Sequence, residues 1–170
     1  MTDCDGRYWI VVVCLGNICR SPMAASILTD RFARAGLGYR VSVTSAGTGG
    51  WNVGRPIDPR ARVTLQRSGY SSEHRARQFQ RDWFSEADLV IGMDYSNVQD
   101  LRGMTRDEDD VTKVMLLRSF SPQLVHLPED DPGLEIPDPY YGSELDFKRT
   151  AAMIEDAVDG VVDYVRLALH

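Results

Sequence analysis

The stretch VVVCLGNICRSP, residues 11–22, decides the fold, because it leads from a buried strand through a short loop into a helix. The β-branched run at residues 10–13 does not alternate with polar residues, which predicts a strand over Tyr8–Cys14 that is buried on both faces. Ser21 is a favoured N-cap and Pro22 suits the first helical position, so we expect a helix to begin here and to end near Gly36. The loop between strand and helix consists mainly of small and cationic residues.

Strand and helix patterns continue to alternate along the rest of the chain. Residues 40–45, 88–93 and 111–117 are predicted strands, and Asp58 is predicted to cap a helix that ends near Ser68. Ser143 and Asp146 form a capping box that opens a last helix with one apolar face. This order predicts an α/β fold with a parallel sheet and right-handed crossovers, built as one domain over residues 1–170.

The composition is that of an ordinary globular protein, with 43% hydrophobic and 26% charged residues. The formal charge of −6 is uneven: the first 85 residues carry 12 Lys or Arg and 6 Asp or Glu, and the others carry 7 and 19. The acidic total argues against nucleic acid or an anionic membrane surface as a partner, while the basic half leaves room for a local anion site.

Targeting signals and the number of cysteines predict the cellular location. No segment reaches the ~20 apolar residues of a membrane span, and no secretory signal is recognised. The 3 cysteines do not make a disulfide framework, which favours a reducing compartment. We therefore expect a cytoplasmic monomer, with export by a route that needs no signal left open.

The loop after Cys14 has the features of an anion site. Ligands of open α/β sheets bind at the carboxyl ends of strands, and a helix N-terminus offers unpaired N–H groups and a positive dipole end. Gly16 permits close approach of the backbone, Asn17 tolerates a left-handed conformation, and Arg20 can hold two phosphate oxygens. The same field stabilises a thiolate, so Cys14 would face a bound phosphorus atom as a nucleophile.

The spacing C-x5-R by itself fits two interpretations equally well. Cys14 and Arg20 could be a small apolar residue and a surface cation instead of a phosphate site. The loop is no Walker motif, because it lacks Gly-Lys-Ser/Thr. Cys14 and Cys19 have no C-x2-C partner and the 3 histidines are dispersed, so we predict neither a metal nor a cofactor.

The segment IPDPYYG, residues 136–142, supplies a candidate general acid. Asp138 lies between two prolines, in a semi-rigid loop. A positioned carboxylic acid that protonates a leaving oxygen typically accelerates the reaction by about 10²–10⁴. Alone, the segment also fits a Pro-Asp turn, but together with the cysteine loop it favours catalysis.

Together, VCLGNICRSP and DPYYG resemble the low-molecular-weight protein tyrosine phosphatase family, and the likeness covers about residues 8–168. It includes TSAGT (44–48), DPRA (58–61), HRAR (74–77) and GMDYSN (92–97). The resemblance implies a four-stranded parallel sheet flanked by helices on both faces, with a phosphate-binding loop between the first strand and the first helix. It also implies hydrolysis of protein phosphotyrosine and small aryl phosphates through a phosphocysteine, without a metal.

The resemblance further implies roles for individual residues. Cys14 resembles the nucleophile, Arg20 the phosphate clamp, and Asp138 the acid that protonates the leaving group and then activates water. The phosphate-binding loop comprises Leu15, Gly16, Asn17, Ile18, Cys19 and Ser21, and the Ser21 hydroxyl resembles the group that steadies the thiolate. The hydrogen-bonded set that supports the loop comprises Asn17, Ser45 and His74.

Aromatic residues are expected to form the substrate cleft. Trp51 lies in the Gly-rich segment 46–56, where an indole has little core to join, and is predicted to be a wall of the cleft. Tyr140 is predicted to line the same cleft, and Tyr141 either lines it or packs inward. The acidic stretches at 107–110 and 129–131 are predicted to be solvated loops.

Cys19 has two interpretations. In a curled loop it could capture an oxidised Cys14 as a disulfide, which would make the protein redox-sensitive. Alternatively, it is a packed small residue.

Three other functions could use the same loop. Arsenate reductases need further cysteines downstream, and none follows Cys19. Protein-arginine phosphatases of the same family carry threonine where Ile18 stands, which favours phosphotyrosine here. A non-catalytic phosphotyrosine-binding module would be expected to lack the thiol, the arginine or the acid, and all three are present.

Overall fold

The computed structural model describes residues 5–170, and Cys4 lies outside the described residues. Within this range the strands are β1 (Tyr8–Cys14), β2 (Val41–Gly47), β3 (Leu89–Gly92) and β4 (Val114–Leu116). The α-helices of the same range are α1 (Arg20–Arg34), α2 (Pro59–Arg67), α3 (Tyr95–Arg102), α4 (Glu108–Thr112) and α5 (Glu144–Ala168). None of these helices combines the length and the apolar character that crossing a bilayer requires.

The sheet is parallel, with the strand order β2-β1-β3-β4. From β1 the chain crosses to β2 on one side, and it later returns to β3 on the other side of β1. The loop between β1 and α1 therefore lies where the winding reverses, which is where ligands bind in open parallel sheets. The predicted α/β fold is confirmed, with this loop in the predicted place.

Helices cover both faces of the sheet. Ile10 and Val12 face a core that is closed by residues of α1, α2 and α5. Trp9 and Val11 face the opposite core, which α3 and the segment 79–87 close. Residues 9–14 are all at most 3% exposed, so the predicted burial of β1 on both faces is confirmed.

Two predicted helix caps are confirmed and one is wrong. The Asp58 carboxylate accepts a hydrogen bond from the Arg60 N–H (2.8 Å), and Ser143 and Asp146 form the capping box of α5. However, α1 begins at Arg20 with Cys19 as its N-cap. Ser21 lies inside the helix, where its hydroxyl contacts side chains of the preceding loop instead of the helix N–H groups.

The prediction for residues 107–117 is partly wrong. The fourth strand is only Val114–Leu116, because residues 108–112 form α4. Asp107 caps α4 by accepting from the Asp110 N–H (2.9 Å). Residues 107–109 are exposed as predicted, but residues 108–110 are helical, and Asp110 is 1% exposed and accepts hydrogen bonds from the Arg106 guanidinium.

Candidate active site

The loop between β1 and α1 lines an open cleft. In the described part of the chain, the N–H groups of residues 15–20 make no hydrogen bond within the protein. Gly16 lies against Asn52, whose amide donates to the Gly16 carbonyl (3.1 Å), and a Cβ on Gly16 would come within 2.8 Å of that amide nitrogen. Unpaired N–H groups at a helix N-terminus form a concave site for an anion the size of phosphate.

The Cys14 sulfur lies at the base of this loop. Cys14 is 3% exposed, and its Sγ lies 2.9 Å from the Ser21 Oγ. The Asn17 amide donates to the same Ser21 oxygen (2.9 Å). The Ser21 hydroxyl can therefore donate its own proton, either to the Cys14 sulfur or to the Ala46 carbonyl at 3.3 Å. The geometry therefore lets Ser21 donate to a thiolate.

Asn17 holds the loop in its curled shape. It is fully buried and has a φ of 57°, a left-handed conformation that asparagine tolerates. Its side chain donates to the Ser45 hydroxyl (3.0 Å) and accepts from the Arg77 N–H (2.9 Å). The His74 Nε2 lies 2.6 Å from the Asn17 carbonyl oxygen. Burial lowers the pKa of His74, so the imidazole is neutral and donates through Nε2–H.

The Arg20 guanidinium is fixed from behind the cleft. Arg20 is 2% exposed and donates to the Asp94 carboxylate (2.6 Å) and to the Ile136 carbonyl (2.9 Å). Burial disfavours its charge, but the charges of Cys14 and Asp94 outweigh burial and raise the pKa of Arg20. Arg20 is therefore a permanent cation beside the sulfur.

Asp138 lies in the loop that precedes α5 and lines the same cleft. Its carboxylate lies 3.6 Å from the Arg20 guanidinium and accepts from the Tyr140 N–H (3.1 Å). The Asp138 side chain is 43% exposed, so it is open to water as well as to the cleft. Cys14, Arg20 and Asp138, which the sequence predicts as the catalytic set, line one cleft of about 250 Å³.

Aromatic side chains form the mouth of this cleft. Trp51, Tyr140 and Tyr141 all line it, together with the phosphate-binding loop. Tyr141 is 95% exposed, so it does not pack inward, and its ring meets Tyr140 edge-on at 4.9 Å. Cys19 lines the cleft as well but is buried; burial and the charges of Asp58 and Cys14 raise the pKa of its thiol, which stays protonated.

Several residues of the site are not predicted from the sequence. Asp94 orients Arg20, and its position directly after a buried strand, at the carboxyl edge of the sheet, was a usable signal. Arg60 supports the segment 136–142, which carries Asp138. Its guanidinium stacks on the Tyr140 ring (5.6 Å) and donates to the Gly142 carbonyl (3.2 Å). Asn52 and Arg55 complete the cleft wall. Within residues 5–170, no cluster of three side chains is placed to hold a metal ion.

The fold and the site together place a buried thiol beneath a loop whose N–H groups are unpaired within residues 5–170. A family model described as low molecular weight phosphotyrosine protein phosphatase matches residues 9–168. The chain is 44% identical over 159 residues to the low molecular weight protein-tyrosine-phosphatase of Streptomyces coelicolor, covering 94% of each protein. It is 40% identical over 156 residues to the low molecular weight protein-tyrosine phosphatase A of Mycobacterium tuberculosis, covering 92% of this chain and 90% of that protein.

The solved structures agree with these relatives. A protein tyrosine phosphatase from Entamoeba histolytica superposes with a TM-score of 0.86 at 28% identity, covering 96% of this chain and 99% of that one. The chain therefore belongs to the low-molecular-weight phosphotyrosine protein phosphatase family, and so to the hydrolases.

Proposed function

We propose that this protein hydrolyses phosphotyrosine in proteins, and small aryl phosphates, through a phosphocysteine at Cys14. The observation that carries the proposal is the position of the Cys14 sulfur beneath a loop whose N–H groups at residues 15–20 are unpaired within the described chain. These N–H groups would hold three phosphate oxygens and aim the phosphorus atom at the sulfur. Arg20 would hold two of those oxygens and neutralise the charge that develops on them.

The reaction divides into two displacements at phosphorus. In the first, the Cys14 thiolate attacks, a sulfur–phosphorus bond forms, and the bond to the tyrosyl oxygen breaks while Asp138 gives that oxygen its proton. In the second, water attacks the phosphocysteine while the Asp138 carboxylate takes a proton from it. The sulfur–phosphorus bond then breaks, inorganic phosphate leaves, and Ser21 donates to the regenerated thiolate.

Selectivity for phosphotyrosine would follow from the cleft. A tyrosyl phosphate extends several bonds further from the backbone than a seryl phosphate, so it reaches a sulfur at the base of a cleft. Trp51 and Tyr140 would stack on its ring, a contact worth about 0.5–1.5 kcal/mol beyond burial. Ile18 offers no polar partner to a guanidinium, and an unpaired buried donor costs about 1–3 kcal/mol, which disfavours phosphoarginine.

The test is turnover of p-nitrophenyl phosphate and of phosphotyrosine peptides by wild type and Cys14→Ser. We expect Cys14→Ser to abolish turnover, whereas Cys19→Ser, the matched change at the other buried cysteine, retains it. Wild-type efficiency should be higher on phosphotyrosine than on phosphoserine or phosphoarginine peptides. Near-wild-type turnover by Cys14→Ser would refute the mechanism, and equal efficiency on the three peptides would refute the selectivity.

We also propose that Cys19 protects Cys14 from overoxidation. Peroxide would convert the Cys14 thiolate to a sulfenic acid, and the Cys19 sulfur would displace water to form a disulfide, losing its proton in that step. The support is that both cysteines line one cleft. After peroxide treatment, dithiothreitol should restore less activity to Cys19→Ser than to wild type, and equal recovery would contradict the role.

For location and assembly we propose a cytoplasmic monomer. The proposed chemistry needs Cys14 reduced, which a reducing compartment maintains. The cleft is lined by residues of a single chain, so it needs no second copy. A sedimentation experiment that found a stable dimer would contradict the second part.

A further inference from the structure

β4 lies at the edge of the sheet, and its outer side is unpaired. The Val90 N–H donates to the Lys113 carbonyl (2.9 Å), and Val90 lies opposite Val114. In a parallel ladder, the backbone groups of Val114 and Leu116 therefore point away from β3. Within the described residues, the N–H and C=O of Val114 and the N–H of Leu116 have no partner, although these two residues are only 4% and 7% exposed.

This edge opens into a groove of about 610 Å³ between α3 and the segment 119–134. Such a volume is typical of ligand sites, which range over about 300–1,000 Å³. The groove is lined by apolar side chains of that segment, among them Leu124, Leu127 and Leu134. Val125, also in the lining, is 75% exposed. An unpaired edge beside apolar pockets is the arrangement that binds extended peptides in other proteins.

The two ends of the groove carry opposite charges. The Tyr95 hydroxyl donates to the carbonyls of Glu129 and Asp131, so the start of α3 and the acidic residues share one end. Glu129 and Asp130 line this end, and their carboxylates have no cationic partner in the described chain. Because β3 and β4 are parallel, α3 runs back toward the amino edge and places Arg102 at the other end.

We propose that this groove binds an extended segment of a partner protein, which pairs with β4 as an additional strand. Its backbone would form hydrogen bonds with the N–H and C=O of Val114 and with the N–H of Leu116. Its alternate apolar side chains would enter the groove. A basic residue of the segment would lie beside Glu129 and Asp130. Only a peptide backbone offers a donor and two acceptors at the spacing of this edge, which decides the chemical class of the partner.

The groove is separate from the catalytic cleft. Among residues 5–170, none that lines the groove also lines the cleft. A partner in the groove and a phosphotyrosine in the cleft can therefore bind at the same time. The inference does not depend on the proposed phosphatase mechanism.

The test uses two blocked, fluorescein-labelled peptides, Glu-Val-Thr-Val-Lys-Lys and the same residues in reverse order, which cover both strand directions. Fluorescence anisotropy should show saturable binding of one of them, equally to wild type and to Cys14→Ser. Methylation of the alternate peptide nitrogens that face β4 should abolish binding. Amide exchange at Val114 and Leu116 should slow on binding.

Protein variants test the two halves of the proposal. The double change Glu129→Lys and Asp130→Lys should weaken binding at low salt by about tenfold, because two attractive pairs become repulsive. Asp156→Lys, an exposed acid on α5, is the matched control and should change binding by less than about twofold. Val114→Pro removes the Val114 N–H, which would donate to the bound segment, at an edge position where proline is tolerated, so it should abolish binding. Val114→Ile keeps this N–H and is the control.

The proposal is overturned if neither peptide binds saturably, or if the N-methylated peptide binds as well as its parent. It is also overturned if sedimentation shows that a second copy of this chain occupies the edge. Should Val114→Pro not fold, the N-methylated peptide and the amide exchange of the wild type still decide the matter.

Discussion

Replacing Asn17 with alanine tests how the phosphate-binding loop is held. The change removes hydrogen bonds to Ser21 (2.9 Å), to Ser45 (3.0 Å) and from the Arg77 N–H (2.9 Å). Each is worth about 0.5–1.5 kcal/mol net. Alanine at a φ of 57° adds about 1–2 kcal/mol of backbone strain. We therefore expect Asn17→Ala to lower the free energy of unfolding by about 2.5–6.5 kcal/mol, a large part of the total for a domain of this size.

Asn17→Gly is the matched control, because it loses the same bonds but accepts a left-handed backbone. It should be more stable than Asn17→Ala by about 0.5–1 kcal/mol. Urea unfolding followed by circular dichroism measures both, and turnover of p-nitrophenyl phosphate below the transition reports the shape of the loop. A loss under about 1 kcal/mol for Asn17→Ala, or no advantage of glycine over alanine, would refute this account of the loop.

Three further predictions concern the acid, the supporting histidine and the cleft wall. Asp138→Asn should slow hydrolysis of alkyl and tyrosyl phosphates by about 10²–10⁴ and that of p-nitrophenyl phosphate less, since p-nitrophenolate needs little protonation; equal losses in stopped assays would contradict the acid role. Burial lowers the pKa of His74, so the unfolded chain binds its proton first; stability to urea should fall as pH drops below about 6.5, and His74→Gln should flatten that slope. Trp51→Ala should lower kcat/KM for phosphotyrosine peptides by about 2- to 10-fold and that for a small alkyl phosphate less, and a uniform loss would argue against stacking.

The features that the sequence predicts well are those encoded locally. The strand Tyr8–Cys14 and the α5 capping box each depend on residues that are neighbours in the chain. The Asp58 cap is local in the same way. In these places propensity, burial and hydrogen bonding favour the same structure.

The features that the sequence does not predict depend on distant partners. Arg20 and Asp94 are 74 residues apart, and only the β1–β3 pairing brings them together. Ser21 is a good N-cap by residue type, yet its hydroxyl is directed to Cys14, so tertiary contacts outweigh the local preference. The acidic stretch before β4 is an exception, because its helix rests on local contacts: Asp107 caps α4, and Arg106 pairs with the buried Asp110 four residues further on.

The most direct test of the central claim is to look for the phosphocysteine itself. Wild type and Asp138→Asn would be mixed with p-nitrophenyl phosphate, quenched in acid within the first turnovers, digested and analysed by mass spectrometry. The account predicts one phosphoryl group on the peptide that contains Cys14 and none in Cys14→Ser. Steady turnover with no phosphoryl group on Cys14 at any quench time, or a phosphoryl group on another residue, would contradict it.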